Sequence, residues 1–172
     1  LVVEVLGLAN TFSAPCDPMA VLAATESPTI VNMAQLLQEL SPKNCQETLH
    51  DANELRGDML QQFNLGLIDI EDRALGDQCY WALLNAINGM TGELHYVPED
   101  LQKLPELLTD TYFCNLSIFQ SMPDSWAVDQ IIPITPISRL NEEPTRRVVL
   151  ADITCDSDGK IDRFPDLRDV KR

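Results

Sequence analysis

The amino-acid sequence predicts an α+β fold in which a helical bundle is inserted into a partial β-domain. Three observations support this prediction: the β-branched run LVVEVLG begins the chain, helical patterns fill residues 30–110, and β-forming residues return after Thr111. We therefore assign residues 1–29 to the first strand of the β-domain and a linker, and residues 30–110 to the helical insertion. Residues 111–172 then form the rest of the β-domain, an incomplete barrel or sandwich.

Amphipathic patterns predict four helices in residues 30–110. The first, IVNMAQLLQEL, ends before Ser41, and we expect Ser41 to cap the second helix with Pro42 in its first turn. The second helix stops at Gly66, a residue suited to a left-handed C-cap, and Asp69 begins the third. The fourth contains EDLQKLPELL. Short joints between amphipathic helices predict an antiparallel bundle.

Composition limits the classes of partner. The chain has 172 residues, 45% of them apolar, which is enough for a real core. A net charge of −15 argues against nucleic acid, which needs clustered Lys and Arg. We expect no membrane association, because there is no apolar run of about 18 residues. We expect a cytoplasmic location, because no leader with a basic segment followed by an apolar one marks the chain for secretion. The absence of an initiator Met suggests a part of a larger protein.

The cysteines do not form a metal-binding pattern. They are odd in number, widely spaced and without a CxxC pair, and neither His50 nor His95 stands at ligand spacing from them. We therefore expect reduced thiols and no zinc site. The five positions are Cys16, Cys45, Cys79, Cys114 and Cys155.

The stretch DITCDSDGKID follows a predicted strand and has spacings typical of a calcium loop. Aligning Gly159 with the turn glycine of an EF-hand puts Asp156 and Asp158 at the third and fifth ligand positions. The first ligand position is then Thr154. The position of the bidentate Glu is Pro165, which has no side-chain oxygen. The sequence therefore argues against a calcium site.

Cys155 lies between acidic residues of the same stretch. The negative charges of these carboxylates would repel a thiolate, so we expect them to raise the pKa of the Cys155 thiol. A thiol that keeps its proton is poor as a nucleophile and suitable as a proton donor. The alternative is a small apolar residue at a strand end beside a solvated turn, and the residue pattern by itself favours this alternative.

Three strings are more distinctive: FQSMPDSWAVDQ, RLNEEPTRR and CDSDGKID. They closely resemble the C-terminal β-domain of biosynthetic arginine decarboxylases, pyridoxal phosphate enzymes of the alanine-racemase-like fold, and especially the cyanobacterial and plant-like branch. LVVEVLG resembles the strand that leads out of that family's barrel domain. A helical insertion of the family matches residues 30–110, although residues 9–108 are less distinctive.

The resemblance implies a fragment of an enzyme that converts L-arginine to agmatine and CO2 in polyamine biosynthesis. It implies pyridoxal phosphate bound by a lysine of the barrel domain, which this chain lacks, and it also implies magnesium. The family's β-domain lends a Cys–Asp pair to a partner subunit in a homo-oligomer. Matched residue by residue, Cys155 is the proton donor and Asp156 faces the cationic end of arginine, with Asp158 a second candidate for guanidinium contact.

The same resemblance marks Asp124, Trp126 and Asp129, in PDSWAVDQ, as candidates for shaping the site or the dimer seam. The alternative for these three residues is a role in packing alone. Since the barrel is missing, it implies that this chain binds no cofactor by itself and is inactive alone. The alternative function is that of a non-catalytic relative, which acts in dimerisation or regulation through its bundle and an exposed β-edge.

Overall fold

The computed structural model divides the chain into two compact units. Leu1–Asn10 and Thr109–Arg172 form a β-unit, and Thr11–Leu108 form a helical unit. None of the helices in the described residues has the length and apolar character needed to cross a membrane. The described residues are 1–9, 16–143, 147–156, 158–165 and 170–171.

The helical unit is built around three helices, α2, α3 and α4, which pack on one another, while α1 packs on α2. Their apolar faces meet in one core that includes Ile30, Met59 and Leu83. The bounds of the helices are α1 Pro18–Ala24, α2 Pro28–Glu39, α3 Cys45–Asn64, α4 Ile70–Met90, a 3-10 helix Thr91–Glu93, α5 Glu99–Gln102 and α6 Leu104–Leu107.

A glycine allows α3 and α4 to approach closely. A Cβ built on Gly76 would lie 2.2 Å from Sδ of Met59 and 3.4 Å from Cγ1 of Ile30. Met59 and Ile30 are both fully buried, so a side chain at position 76 has no free space. The close packing explains why a residue with poor helix propensity lies inside α4.

The predicted ends of the two long helices are confirmed at Gly66 and Asp69. α3 ends at Asn64, and Gly66 has φ of +71°, the left-handed region that glycine enters without a steric cost. The carboxylate of Asp69 accepts a hydrogen bond of 2.8 Å from the amide of Asp72 and so caps α4.

The predicted cap of α3 is wrong. The helix begins at Cys45 with Asn44 as its N-cap, and Ser41 does not have that position. Oδ1 of Asn44 accepts hydrogen bonds from the amide and the hydroxyl of Ser41, at 2.8 and 2.9 Å. These bonds close a turn over residues 41–44, so Pro42 lies in the turn and not in the helix.

Two further segments differ from the sequence-based expectation. Part of the predicted linker forms α1, which Asp17 caps with its side chain and which starts with Pro18, a residue whose fixed φ favours the first helical position. The predicted fourth helix is divided into α5 and α6 at Lys103. Pro105 explains the break, because in a continuous helix proline has no amide hydrogen to donate to the carbonyl four residues earlier and its ring clashes with that carbonyl.

The β-unit contains a four-stranded mixed sheet with the order β1-β2-β3-β4. β1 and β2 are antiparallel, β2 and β3 are parallel, and β3 and β4 are antiparallel. β5 and β6 form a separate antiparallel pair. The bounds are β1 Val5–Ala9, β2 Asp110–Cys114, α7 Ile118–Ser121, α8 Pro123–Ala127, β3 Val148–Ala151, β4 Lys160–Ile161, β5 Phe164–Pro165 and β6 Val170–Lys171.

The sheet confirms the predicted fold class. The first strand of the chain pairs with β2, which follows the helices, and the four strands form an open sheet, so the β-domain is partial. A small core lies against it, formed by Cys114, Leu116, Ile118 and Ile161. The predicted strand TYFCNLSIF ends at Cys114, however, and its last residues enter the short helix α7.

Candidate functional site

A buried carboxylate stands directly after β3. Asp152 is 5% exposed, and its amide donates a 2.8 Å hydrogen bond to the carbonyl oxygen of Gly159. This bond joins the two ends of the loop formed by residues 153–158. Its base is continuous with the antiparallel pair of β3 and β4, in which Ala151 faces Lys160.

Both oxygens of the Asp152 carboxylate accept hydrogen bonds. Oδ2 accepts one of 2.9 Å from the amide of Ile118, the first residue of α7. Oδ1 accepts two from Thr154, of 3.0 Å from the amide and 2.6 Å from the hydroxyl. The carboxylate therefore binds the start of α7 and the start of the loop to the end of β3.

The charge state of Asp152 follows from these contacts. Burial penalises the ionised form and on its own would raise the pKa of this carboxyl. Hydrogen bonds from the Thr154 hydroxyl, the Ile118 amide and the Thr154 amide outweigh burial, so the pKa of Asp152 lies below its ordinary value. Asp152 is consequently an ionised acceptor at neutral pH.

Gly159 is required by its contact with Asp152. A Cβ at this position would lie 2.2 Å from Oδ1 and 2.5 Å from Cγ of Asp152. Gly159 is buried, and its φ lies outside the left-handed region, so close approach and not backbone conformation favours glycine here.

The loop presents Cys155, Asp156 and Asp158 together at the surface, and all three are exposed. Oδ1 of Asp156 accepts a 2.9 Å hydrogen bond from the amide of Asp158, which forms a local Asx-type turn. The carbonyl oxygen of Asp156 accepts a 3.2 Å bond from the amide of Gly159. Cys155 thus lies between Thr154, held by Asp152, and Asp156, held by its own turn.

Cys155 differs from the other thiols in its exposure. All five cysteines are free, and Cys155 is the exposed one among them. Burial raises the pKa of Cys79, and its contact with Cys16, with the two Sγ atoms 3.0 Å apart, raises it further. Burial also raises the pKa of Cys114. Cys155 is therefore the most accessible of the five thiols, since Cys16 is only partly exposed and the other three are buried.

The three predicted residues within PDSWAVDQ, Asp124, Trp126 and Asp129, all make their contacts inside the β-unit. The ring of Trp126 meets the ring of Phe119 edge to face, with centroids 5.4 Å apart, and remains 57% exposed. Asp129 has a positive φ of 56° and forms an ion pair with Arg163, which follows β4. The side chain of Asp124 is exposed. The backbone carbonyl oxygen of Asp124 accepts hydrogen bonds from the amides of Val128 and Gln130.

These positions do not converge in one described pocket. A recess of about 30 Å³ near α8 is lined by Gln130, Ile161 and Arg163, among others, and is too small for an amino acid. Over the described residues there is no group of three or more His, Cys, Asp or Glu arranged to hold a metal ion. Roles for Asp124, Trp126 and Asp129 in shaping a site or dimer seam stay predictions.

Sequence reasoning missed Asp152. The available signal was local: an Asp two residues before a Thr at the end of an apolar strand is typical of side-chain to backbone hydrogen bonding. Its other partner, Ile118, lies 34 residues earlier in the chain and could not be inferred from spacing.

Comparison with known proteins gives the class of the helical unit. Residues 23–105 match the family model described as the arginine decarboxylase helical bundle domain. These residues run from the end of α1 into α6, so the match covers the three central helices.

Full-length relatives then give the family of the whole chain. The biosynthetic arginine decarboxylase of Nostoc sp. is 44% identical over 98% of this chain and 25% of its own length. Biosynthetic arginine decarboxylase 2 of Synechocystis sp. is 45% identical over 99% of this chain and 26% of its own length. The crystal structure of the biosynthetic arginine decarboxylase from Campylobacter jejuni matches with a TM-score of 0.65 and 32% identity, over 92% of this chain and 24% of that one.

The chain belongs to the biosynthetic arginine decarboxylase family, as the sequence predicted, and cyanobacterial members are among its relatives. It spans about a quarter of the length of the curated relatives that it matches.

We expect Gly159→Ala to destabilise the β-unit by about 1–3 kcal/mol, because the new methyl group would overlap the Asp152 carboxylate. Urea unfolding measures the change. Gly7→Ala is the matched control, since a Cβ there makes only ordinary contacts of 3.8 and 3.9 Å with Phe113. Equal effects of the two substitutions would contradict the proposed close contact.

The lowered pKa of Asp152 predicts a pH-dependent contribution to stability. A carboxyl whose pKa is lower in the folded state stabilises above its unfolded pKa, and this contribution is lost as pH falls through the folded pKa. Asp152→Asn should therefore cost about 1–3 kcal/mol at pH 6, and the difference from wild type should shrink as pH falls below about 4. Urea titrations at several pH values measure it, and a difference independent of pH would contradict the ionised state.

Proposed function

We propose that this chain supplies a Cys–Asp loop to the active site of a pyridoxal phosphate-dependent arginine decarboxylase, which converts L-arginine to agmatine and CO2. The observation that carries the proposal is the exposed pair Cys155 and Asp156, on a loop anchored by Asp152, in a chain of this family. In this proposal Cys155 delivers a proton to the substrate carbon that has lost CO2, and the loop carboxylates receive the cationic end of arginine.

The geometry supports a proton donor at Cys155. The thiol is exposed, so it can enter a site formed with another subunit, whereas the thiols of Cys79 and Cys114 are buried and kept protonated. Hydrogen bonds hold the backbone on both sides of Cys155. A donor fixed in this way loses little conformational freedom when the substrate arrives.

Charge supports a cationic substrate. Asp156 and Asp158 are exposed neighbours, and a guanidinium group binds carboxylates through paired hydrogen bonds in a plane. One oxygen of Asp156 accepts the amide of Asp158. Its other oxygen, and the whole carboxylate of Asp158, are the groups that we assign to substrate.

The described lysines do not fit a covalent pyridoxal phosphate site. Lys43, Lys103 and Lys160 are exposed, and none lines either of the two described recesses. Lys103 pairs with Glu99 at 2.8 Å, and Lys160 lies 3.6 Å from Asp162. A Schiff-base lysine needs a lowered pKa, whereas the ion pair raises the pKa of Lys103.

The proposal therefore requires a barrel-bearing subunit that holds the cofactor, in a homo-oligomer of longer chains. Magnesium, which the family resemblance implies, is assigned to no residue of this chain, because the described residues contain no group of three or more His, Cys, Asp or Glu that could hold a metal ion. A cytoplasmic location belongs to the same proposal, supported by five free thiols, which persist in a reducing compartment.

A second function, dimerisation or regulation without catalysis, is favoured by one observation. β1 is the edge strand of the sheet, and Val5, Leu6 and Leu8 on it are 47%, 58% and 53% exposed. An uncovered apolar edge of this kind pairs readily with another chain. This function predicts association with a longer family member that is unaffected by changes at Cys155.

We expect Cys155→Ala to lower agmatine formation by about 10²–10⁴-fold, the usual contribution of a general acid. The assay mixes this chain with pyridoxal phosphate, L-arginine and a barrel-bearing family enzyme whose own loop cysteine is replaced by alanine. Ile153→Ala is the matched control, because Ile153 is 62% exposed on the same loop and carries no acid or base. An active mixture that is indifferent to Cys155→Ala would show that Cys155 is not the proton donor.

We expect Asp156→Asn to raise KM for L-arginine about 10–100-fold in the same assay, since a hydrogen bond to a charged group contributes about 1.5–3 kcal/mol. Asn keeps the Oδ1 acceptor of the local turn, so the loop conformation is retained. Glu4→Gln is a control for net charge away from the loop. Equal KM values for the Asp156→Asn variant and the wild type would remove Asp156 from substrate binding.

A further inference from the structure

We infer that Asp152 is a positioning residue for Cys155: its carboxylate fixes the backbone on which the thiol is presented. The inference rests on the proposed function, because it assigns a use to the thiol, but it concerns a residue that never touches substrate. Asp152 is buried beneath the loop, while Cys155 is exposed on it.

The first step is the connection between Asp152 and Cys155. Thr154 directly precedes Cys155, and both its amide and its hydroxyl donate to Oδ1 of Asp152, at 3.0 and 2.6 Å. Two hydrogen bonds to one oxygen fix the position and the orientation of Thr154. The peptide that leads into Cys155 is then held on its N-terminal side.

The second step is the connection between Asp152 and the rest of the β-unit. Oδ2 accepts the amide of Ile118, which is 1% exposed and belongs to the small core beside the sheet. The backbone amide of Asp152 bonds to Gly159 and closes the loop. Asp152 therefore connects the loop to the small core. A shift of Asp152 would move Thr154 and Cys155 with it.

The third step is the need for an ionised carboxylate. Three donors point at Asp152, the amides of Ile118 and Thr154 and the hydroxyl of Thr154. A carboxylate accepts at both oxygens, whereas the amide of Asn has one oxygen and one NH2 group. In the Asp152→Asn variant that NH2 group must face the amide of Ile118 or the amide of Thr154, which are both donors. At least one of these two hydrogen bonds is therefore lost, with almost no change in side-chain volume.

Hydrogen exchange of this chain alone tests the anchoring. We expect Asp152→Asn to speed exchange of the amides of Ile118 or Thr154 and of residues 155–158 by about tenfold or more, because a lost bond of about 1.5 kcal/mol has this effect. Thr154→Val removes only the hydroxyl and should have a smaller effect. Ile153→Ala should have none. Unchanged exchange across the loop of the Asp152→Asn variant would overturn the inference.

Kinetics of the mixture with the barrel-bearing enzyme tests the positioning. We expect Asp152→Asn to lower kcat about 10–100-fold, as misplacement by about 1 Å does, and to raise the solvent deuterium isotope effect on kcat because proton delivery becomes slower. Partial unfolding would lower kcat without changing the isotope effect, so this readout separates positioning from stability. A lower kcat with an unchanged isotope effect, or an unchanged kcat, would overturn the inference.

The variants also distinguish this inference from the proposed function. Loss of activity in the Cys155→Ala variant with full activity in the Asp152→Asn variant would remove the positioning role and leave the proposed function standing. Full activity in the Cys155→Ala variant would remove both. Graded losses, largest for Cys155→Ala, smaller for Asp152→Asn and smallest for Thr154→Val, are the expected result.

Discussion

The hydrogen bonds of the buried Asp152 carboxylate are the interaction that joins the loop to the rest of the β-unit. An ionised group can remain buried only when hydrogen bonds replace the water that it has lost, and here Ile118 and Thr154 provide three. Through them a strand end, a helix start and a surface loop become one structure. The close contact with Gly159 belongs to the same constraint, because the loop can close only where no side chain fills the space beside the carboxylate.

This anchor gives the exposed loop a fixed shape. Surface loops are commonly the mobile parts of a domain, and binding residues on them must be ordered at an entropic cost when a ligand arrives. In this chain most of that conformational entropy is lost already on folding, because residues on both sides of Cys155 are hydrogen-bonded. In the proposed function, this exposed thiol acts in a site that another subunit completes.

The two units meet different demands. The helical unit buries a large apolar core in which Met59 and Gly76 fit closely. The β-unit has a smaller core around Ile118 and carries the loop. Lys43, Lys103 and Lys160 lie at the surface. In the proposed function, the cofactor is held by a longer chain of the family, of whose length this chain spans about a quarter.

The sequence by itself determined what depends on near neighbours: the helical periods, the stop at Gly66, the cap at Asp69, the family and the loop with Cys155. The helices and their ends could be predicted because the responsible contacts lie within one or two turns of chain. The family could be predicted because the distinctive strings are long. The tertiary structure alone decided that β1 pairs with β2 and that Asp152 binds Ile118. Those partners are far apart in the chain. Only folding brings the buried Asp152 carboxylate to the Ile118 amide, one of the donors that stabilise its charge away from water.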